Sequence, residues 1–398
     1  MKEDYQIEVM EKRAPLEIRQ RGITIGLPAN PVQGERRFPL TPEAVKVLVD
    51  DYGFNVFIEE GAGHAIHYSD NAYASNGATV TKRAETFHTD IVISASHLSA
   101  ADIGRMRRNA TLWTVMRPAA IGRTMLESLN QRAITTLSLT ALTTSTGHYP
   151  VADILAEIEG RAAVAVAAGF LADGVHGKGI LLGGVTGIVP CEVVILGGTT
   201  AGVAAALSSR GLGATVRLFD NDPCRLRNAE VALGHSVIGS SLHRKVYLGA
   251  LHSADVVINT LTGDESRAAV IDHEEASTLK KGAILFDLNT PENTVFPSLR
   301  LVDLSPAVEA LPKLTERTCF INAGSAVPRT SAMALSNAIV PMLANLAQSD
   351  DHTFMDAVRM NSFLGTGLVT FAANVVNREA ALATGMKWVD PAIMQRFS

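Results

Sequence analysis

Cysteine is scarce in this chain. Its 398 residues include three, Cys191, Cys224 and Cys319. They are too few and too scattered for a disulfide framework and form no CxxC metal pair, which suits a reducing compartment. An excess of one charge is also missing. The 35 basic and 40 acidic residues leave a formal net charge of −5, so nothing electrostatic points to nucleic acid or an anionic membrane as partner. Long hydrophobic runs are absent too. The most apolar stretch, Ala162–Leu171, is closed off by Arg161 and Asp173 and is too short to span a bilayer. The N-terminal MKEDYQIEVMEKR is polar and lacks the apolar core of a signal peptide. A soluble cytoplasmic protein is expected. What the chain does have is 47% hydrophobic residues, ample to offset chain entropy, so fibrous and disordered classes are excluded. The charged fraction of 19% is low for a fully solvated surface. Some of that surface is expected to be buried between domains or between subunits of a homo-oligomer.

Short β-rich runs alternate with helical patterns. Ile23–Leu27, Val56–Glu59, Ile91–Ser94, Leu112–Val115 and Ile134–Leu139 read as strands of a first parallel sheet, with amphipathic segments Thr41–Asp50 and Ala100–Arg108 between them. Thr41-Pro42-Glu43 is a helix start: a capping hydroxyl, proline at the first helical position and an acid in the first turn. Val151–Ala172 is a longer, Ala-rich helical pattern followed by a glycine-dense stretch, Gly174–Gly187. The composition shift places a domain junction at this helix. A second strand set follows: Glu192–Leu196, Thr215–Phe219, Val256–Asn259, Ala283–Asp287 and Cys319–Ile321. After it comes the helical run Thr330–Leu346, then a C-terminal region with no clear strands. Two long helices flanking one inserted domain imply that the C-terminus returns to the first domain. The expected division is residues 1–150 with 322–398, and residues 151–321 inserted.

Strand Glu192–Leu196 runs into Gly197-Gly198-Thr199-Thr200-Ala201-Gly202 and then into helix Ala201–Arg210. This is the glycine turn of a dinucleotide-binding βαβ unit. Asp220 ends the next strand, eighteen residues beyond Gly202, close to the ~20 expected for the acid that accepts from an adenosine ribose. A carboxylate there favours NAD and repels the 2′-phosphate of NADP, although Arg217, Arg225 and Arg227 keep NADP open. Thr199 stands where the motif carries its second glycine, and its side chain costs clearance toward a pyrophosphate.

Several stretches together resemble the alanine dehydrogenase and pyridine nucleotide transhydrogenase family. They are Glu35-Arg36-Arg37-Phe38-Pro39-Leu40-Thr41-Pro42, Gly61-Ala62-Gly63, and Gly183-Gly184-Val185-Thr186-Gly187 with Pro190 and the glycine loop. Ala326-Val327-Pro328-Arg329-Thr330-Ser331, leading to Ala334-Leu335-Ser336-Asn337-Ala338, completes the set. The resemblance covers nearly the whole chain. It implies an α/β fold of two Rossmann-like domains with parallel sheets, an NAD domain inserted in a discontinuous substrate domain. It also implies a homodimer or homohexamer, and oxidation of L-alanine to pyruvate and ammonia with NAD.

The family's functional groups carry over unevenly. Its substrate-carboxylate arginine matches Arg37, whose planar fork suits a carboxylate. Its lysine falls on Ser94 or Ser96, its histidine on Arg117, and its loop aspartate on Pro291. Ser96 is a poor base without a partner, and Arg117 holds its proton but can hold an anion. His97 neighbours the lost lysine yet should face away from Ser96 along a strand. Glu292, beside Pro291, is a candidate replacement acid. No metal is expected: His64 and His67 have no third ligand near. His148 reads as a loop residue, and Trp113 and Trp388 as packing residues. Three functions stay open at this point. One is an NAD-dependent amino-acid dehydrogenase with altered substrate. Another is a non-catalytic nucleotide- or metabolite-binding or assembly subunit. The third is an imine or opine reductase in which Arg37 and Arg117 hold two carboxylates.

Overall fold

The structure, a computed structural model, describes residues 22–31, 35–234, 237–289, 294–306, 317–347 and 362–390. Strands β1 (Thr24–Leu27), β2 (Asn55–Glu59), β3 (Thr79–Thr81), β4 (Ile91–Ser94), β5 (Thr111–Thr114) and β6 (Thr135–Ser138) come first along the chain. Then come β7 (Glu192–Leu196), β8 (Thr215–Phe219), β9 (Ile238–Ser240), β10 (Val256–Asn259), β11 (Ile284–Asp287), β12 (Arg300–Asp303) and β13 (Thr318–Ile321). Last are β14 (Leu368–Phe371) and β15 (Asn374–Val375). They form two sheets, β15-β14-β6-β5-β4-β1-β2-β3 and β12-β13-β11-β10-β7-β8-β9. All ladders are parallel except those that β14 makes with β6 and β15. Central strands such as β4 and β11 are buried at every position, as expected where helices cover both faces of a parallel sheet.

Each sheet reverses its strand order once. The chain builds β1, β2 and β3 outward, then returns to lay β4 on the other side of β1. It repeats the pattern with β7, β8, β9 and then β10 beside β7. Such a reversal opens a crevice at the carboxyl ends of the strands, and each expected site residue in the described chain follows one of these ends.

Helix α1 (Pro42–Asp50) begins as its sequence dictates, with the Thr41 side chain accepting from the Ala44 N–H. Helix α2 (Pro150–Ala172) belongs to both halves. Val151 and Leu155 pack into the core of the first sheet, whereas Ala163, Ala167, Phe170 and Leu171 pack into that of the second. Phe170 stacks on Phe320 of β13 with centroids 4.7 Å apart. Between these two stretches lies Gly160. A Cβ there would meet the Ala201 carbonyl oxygen at 2.1 Å, so only glycine lets α2 press on helix α3 (Thr200–Gly211). Helix α5 (Pro328–Ala347) has the length and hydropathy to cross a membrane. It instead buries Ala332, Leu335, Ile339 and Leu343 in the first core.

Two expectations are corrected. The C-terminal region does carry strands: β14 and β15 continue the first sheet beyond β6. They are short; β14 pairs antiparallel with β6, and the buried Thr370 hydroxyl lies 2.8 Å from both the Ile134 carbonyl and Thr136 Oγ1. Helix Ala100–Arg105 stops before Arg108, because Met106 turns to extended backbone and buries its side chain.

Candidate active site at the cleft between the two sheets

The glycine turn closes β7 and opens α3. Gly197 sits at φ +104°, and a Cβ on it would meet Thr260 Oγ1 at 2.5 Å. Gly202 lies so near Gly197 that a Cβ would reach its carbonyl oxygen at 1.9 Å. These two glycines are obligatory for the turn, while Gly198 has only ordinary contacts around it. Thr199 caps α3: its hydroxyl accepts from the Gly202 N–H and donates to Thr260 Oγ1 at 2.8 Å. Thr260 in turn donates to the Gly197 carbonyl at 3.0 Å. The hydroxyl is thus turned inward and takes the Gly202 N–H, one of the first-turn amides of α3 that a phosphate at a helix N-terminus would use.

Asp220 ends β8 and is fully buried beneath this turn. One oxygen accepts from the Gly198 N–H at 2.6 Å and from Arg225 Nε at 2.8 Å. The other accepts from the Asp222 N–H at 2.7 Å and from Arg225 Nη2 at 2.8 Å. A carboxylate has about four acceptor positions, and all are taken. Burial works against the charge, but Arg225 and the two N–H groups outweigh it and hold the Asp220 carboxyl below its ordinary 3.8. Arg225 is placed by the first turn of helix α4 (Pro223–Leu233), which Asp222 caps, and its Nη2 also donates to Glu265 at 2.6 Å.

The second half of the cleft is built on the loop before α1. Arg36 reaches across to the other sheet, donating to the carbonyls of Ser305 at 3.1 Å and Ser325 at 2.7 Å. Arg37 lies between two carboxylates. Its Nη2 donates to Glu35 at 2.6 Å, and its Nη1 stands 3.5 Å from Glu159 of α2. Its Nε has no hydrogen-bond partner among the described residues. The two acids respond in opposite directions. For Glu35, burial favours the neutral form, but the close Arg37 and the Ser325 hydroxyl overcome it and hold the carboxyl below 4.5. For Glu159, burial dominates and lifts the carboxyl above 4.5. Arg37, the Gly324 N–H and Arg117 offset only part of that rise, and Glu35 adds to it. The Gly324 N–H donates to Glu159 Oε2 at 2.8 Å, and a Cβ on Gly324 would sit 2.7 Å from the other oxygen.

The remaining expected residues fall as follows. Ser96, after β4, is buried. Its N–H donates to Ser94 Oγ, which donates back to the Ser96 carbonyl, so these hydrogen bonds close within its own loop, and no basic side chain bonds to it among the described residues. Arg117, after β5, is exposed and bears electrostatically on Glu159. Arg37 contacts Glu159 at 3.5 Å, whereas Arg117 acts on it only through longer-range charge. His97 is exposed while Ser96 is buried; the two face apart as expected, but in the loop after β4 and not on a strand. Glu292 lies outside the described residues. Sequence reasoning missed Glu159. Glu157 and Glu159 differ in the chain only by position. Glu157 pairs outward with Arg161, and burial alone singles out its neighbour. It also missed that Arg225, one residue past Cys224 in the first turn of α4, would be captured by Asp220.

The chain matches two family models, described as the alanine dehydrogenase/PNT C-terminal domain over residues 163–378 and the N-terminal domain over residues 26–159. It is 29% identical over 374 residues to a protein of Mycobacterium tuberculosis named alanine dehydrogenase, covering 92% of this chain and 98% of that one. A solved L-alanine dehydrogenase superposes with a TM-score of 0.78 at 26% identity, covering 91% of this chain and 99% of the other. A transhydrogenase from Sinorhizobium meliloti shares the fold, with a TM-score of 0.69 at 19% identity over 89% and 99% of the two chains.

Proposed function

The chain belongs to the alanine dehydrogenase/PNT family, and we propose on that footing that it is an NAD-dependent oxidoreductase acting on the CH–NH2 group of a small L-amino acid, L-alanine first among them. The observation that carries this reading is the juxtaposition of the two half-sites. Gly160 presses α2 against Ala201 in the first turn of α3, so Glu159 and its arginines stand beside the helix that the glycine turn opens.

The residues present fit a dinucleotide. Gly197 and Gly202 let the turn fold tightly enough to present its backbone to a pyrophosphate, and the N-terminus of α3 supplies N–H donors and a positive dipole end. Asp220, Asp222 and Glu265 surround Arg225 and give the ribose pocket a negative balance. That disfavours a 2′-phosphate, hence NAD rather than NADP. When bound, the dinucleotide accepts the hydride that leaves the substrate's Cα. Arg117, an exposed cation at the cleft, supplies the charge to hold the substrate carboxylate. Arg37 is committed to Glu35 and Glu159, so an imine or opine reductase gripping two carboxylates with Arg37 and Arg117 is disfavoured. We further propose that copies of the chain assemble into a homodimer or homohexamer.

A second reading is a family member that binds the nucleotide without turnover. It is favoured by Ser96, whose hydrogen bonds close on its own loop. Titration of the purified protein with NADH, followed by fluorescence and melting temperature, tests the shared premise, with saturable binding expected below millimolar concentration. Assay of L-amino acids with NAD, and of 2-oxo acids with NADH and ammonia, then separates the two readings. Turnover supports the first, and binding without turnover the second.

A further inference from the structure

The cleft has lost the lysine and histidine that its family resemblance implies, yet it holds two carboxylates on one guanidinium. Glu35 takes Arg37 tightly, at 2.6 Å, and stays ionised. Glu159 is held off at 3.5 Å. Its Oε2 accepts the Gly324 N–H, while Oε1, with only the long contact to Arg37, keeps acceptor capacity free. Titratable pairs whose environments push them in opposite directions mark acid and base roles. We propose that Glu159 is the proton-accepting residue of this cleft, taking the proton from the substrate's ammonium group. This inference rests on the amino-acid dehydrogenase reading above.

The step balances simply. The substrate ammonium and the Glu159 carboxylate become a neutral amine and a carboxylic acid: an N–H bond breaks and an O–H bond forms at Oε1. The amine lone pair then assists as the Cα–H bond breaks and its electron pair leaves as hydride, NAD being the oxidant. Three features suit Glu159 to this work. Burial weakens it as an acid and so strengthens it as a base, which narrows the gap to an amine. The Gly324 N–H and Arg37 fix its orientation. Arg117, whose charge bears on the same carboxylate, is a cation available to the substrate's carboxylate. The charged groups bearing on Glu159 are Arg37 and Glu35 from the loop before α1 and Arg117 from the end of β5.

The experiment compares wild type with Glu159→Gln and Glu159→Asp. NADH affinity is read by fluorescence, the melting temperature is taken, and oxidation of a panel of L-amino acids by NAD is followed from pH 5 to 10. Glu159→Gln should bind NADH within about twofold of wild type and fold normally, yet turn over about a hundredfold or more slowly, the usual scale for a lost general base. Its rate should also lose the acid limb of the pH profile. Glu159→Asp should recover part of the rate with the limb displaced. Glu159→Gln turnover within threefold of wild type, or an unchanged pH profile, overturns the assignment. So does loss of NADH binding in parallel with turnover, which would make Glu159 a structural tie. A wild-type protein that binds NADH but oxidises no amino acid in the panel overturns the dehydrogenase reading beneath the proposal, whereas an active wild type with an active Glu159→Gln overturns the proton role alone. A wild type that fails to bind NADH overturns the reading beneath it.

Discussion

Arg225 and the ribose of a dinucleotide compete for one carboxylate, because Asp220 has no acceptor position left while the pair stands. Removing Arg225 leaves the two backbone donors in place and frees two positions for ribose hydroxyls. Arg225→Ala should therefore tighten NADH binding by roughly tenfold, about 1.4 kcal/mol, in a fluorescence titration. Weaker binding in the variant would show instead that the guanidinium contacts the nucleotide. Glu265 matters to the same exchange. It already holds Arg225 Nη2 through both oxygens and gives the guanidinium somewhere to stay when Asp220 turns to the ribose. Residues at this scale were partly legible in the chain. Gly197, Gly202 and Asp220 follow from spacing, since a βαβ turn fixes their positions. Arg225 and Glu159 do not: the Asp220–Arg225 pair depends on how the turn into α4 folds back, and Glu159 meets Arg37 from far along the chain.

At the scale of elements, α2 does the most to unite the two half-sites. One end lies in each core, and its contact with α3 depends on the missing side chain of Gly160. In an open helix, glycine to alanine stabilises by about 0.5–1 kcal/mol. Here the added methyl meets a backbone carbonyl at 2.1 Å, and overpacking of this kind costs about 1–3 kcal/mol. Gly160→Ala should thus destabilise, with a lower urea midpoint, and weaken NADH binding as α3 is pushed away. A stabilised variant would mean that the helices separate without consequence. The reading of α2 as a long Ala-rich helix was correct to within a residue, since its composition leaves little choice. Strands β3, β9, β12, β14 and β15 escaped because each is short and lies at an edge or beside one. Pairing, not periodicity, defines them.

At the scale of the molecule, Arg36 ties the first sheet's loop to carbonyls that follow β12 and β13, so the cleft is held across its back. The segment after α2 leaves Val175, Leu181, Val185, Ile188 and Val189 exposed, the last at 86%. Such concentrated apolar exposure calls for a partner surface, and a second copy of the chain is the proposed occupant. Light scattering after size exclusion should give a multiple of the chain mass. Leu181→Asp with Val189→Asp should shift it toward the monomer. A monomeric wild type would overturn the assembly.

The sequence alone determined the two βαβ series, the glycine turn and its acid, and the helix that joins the halves. These are local patterns of hydrophobicity, capping and spacing, and the backbone obeys them wherever the chain is placed. Tertiary structure decided what the charged groups do. Arg37 is engaged by Glu35 and Glu159, Asp220 by Arg225, and Glu159 is made weakly acidic by burial. Charge interactions depend on distance and desolvation, and these are set only when segments more than a hundred residues apart, such as Arg37 and Glu159, meet.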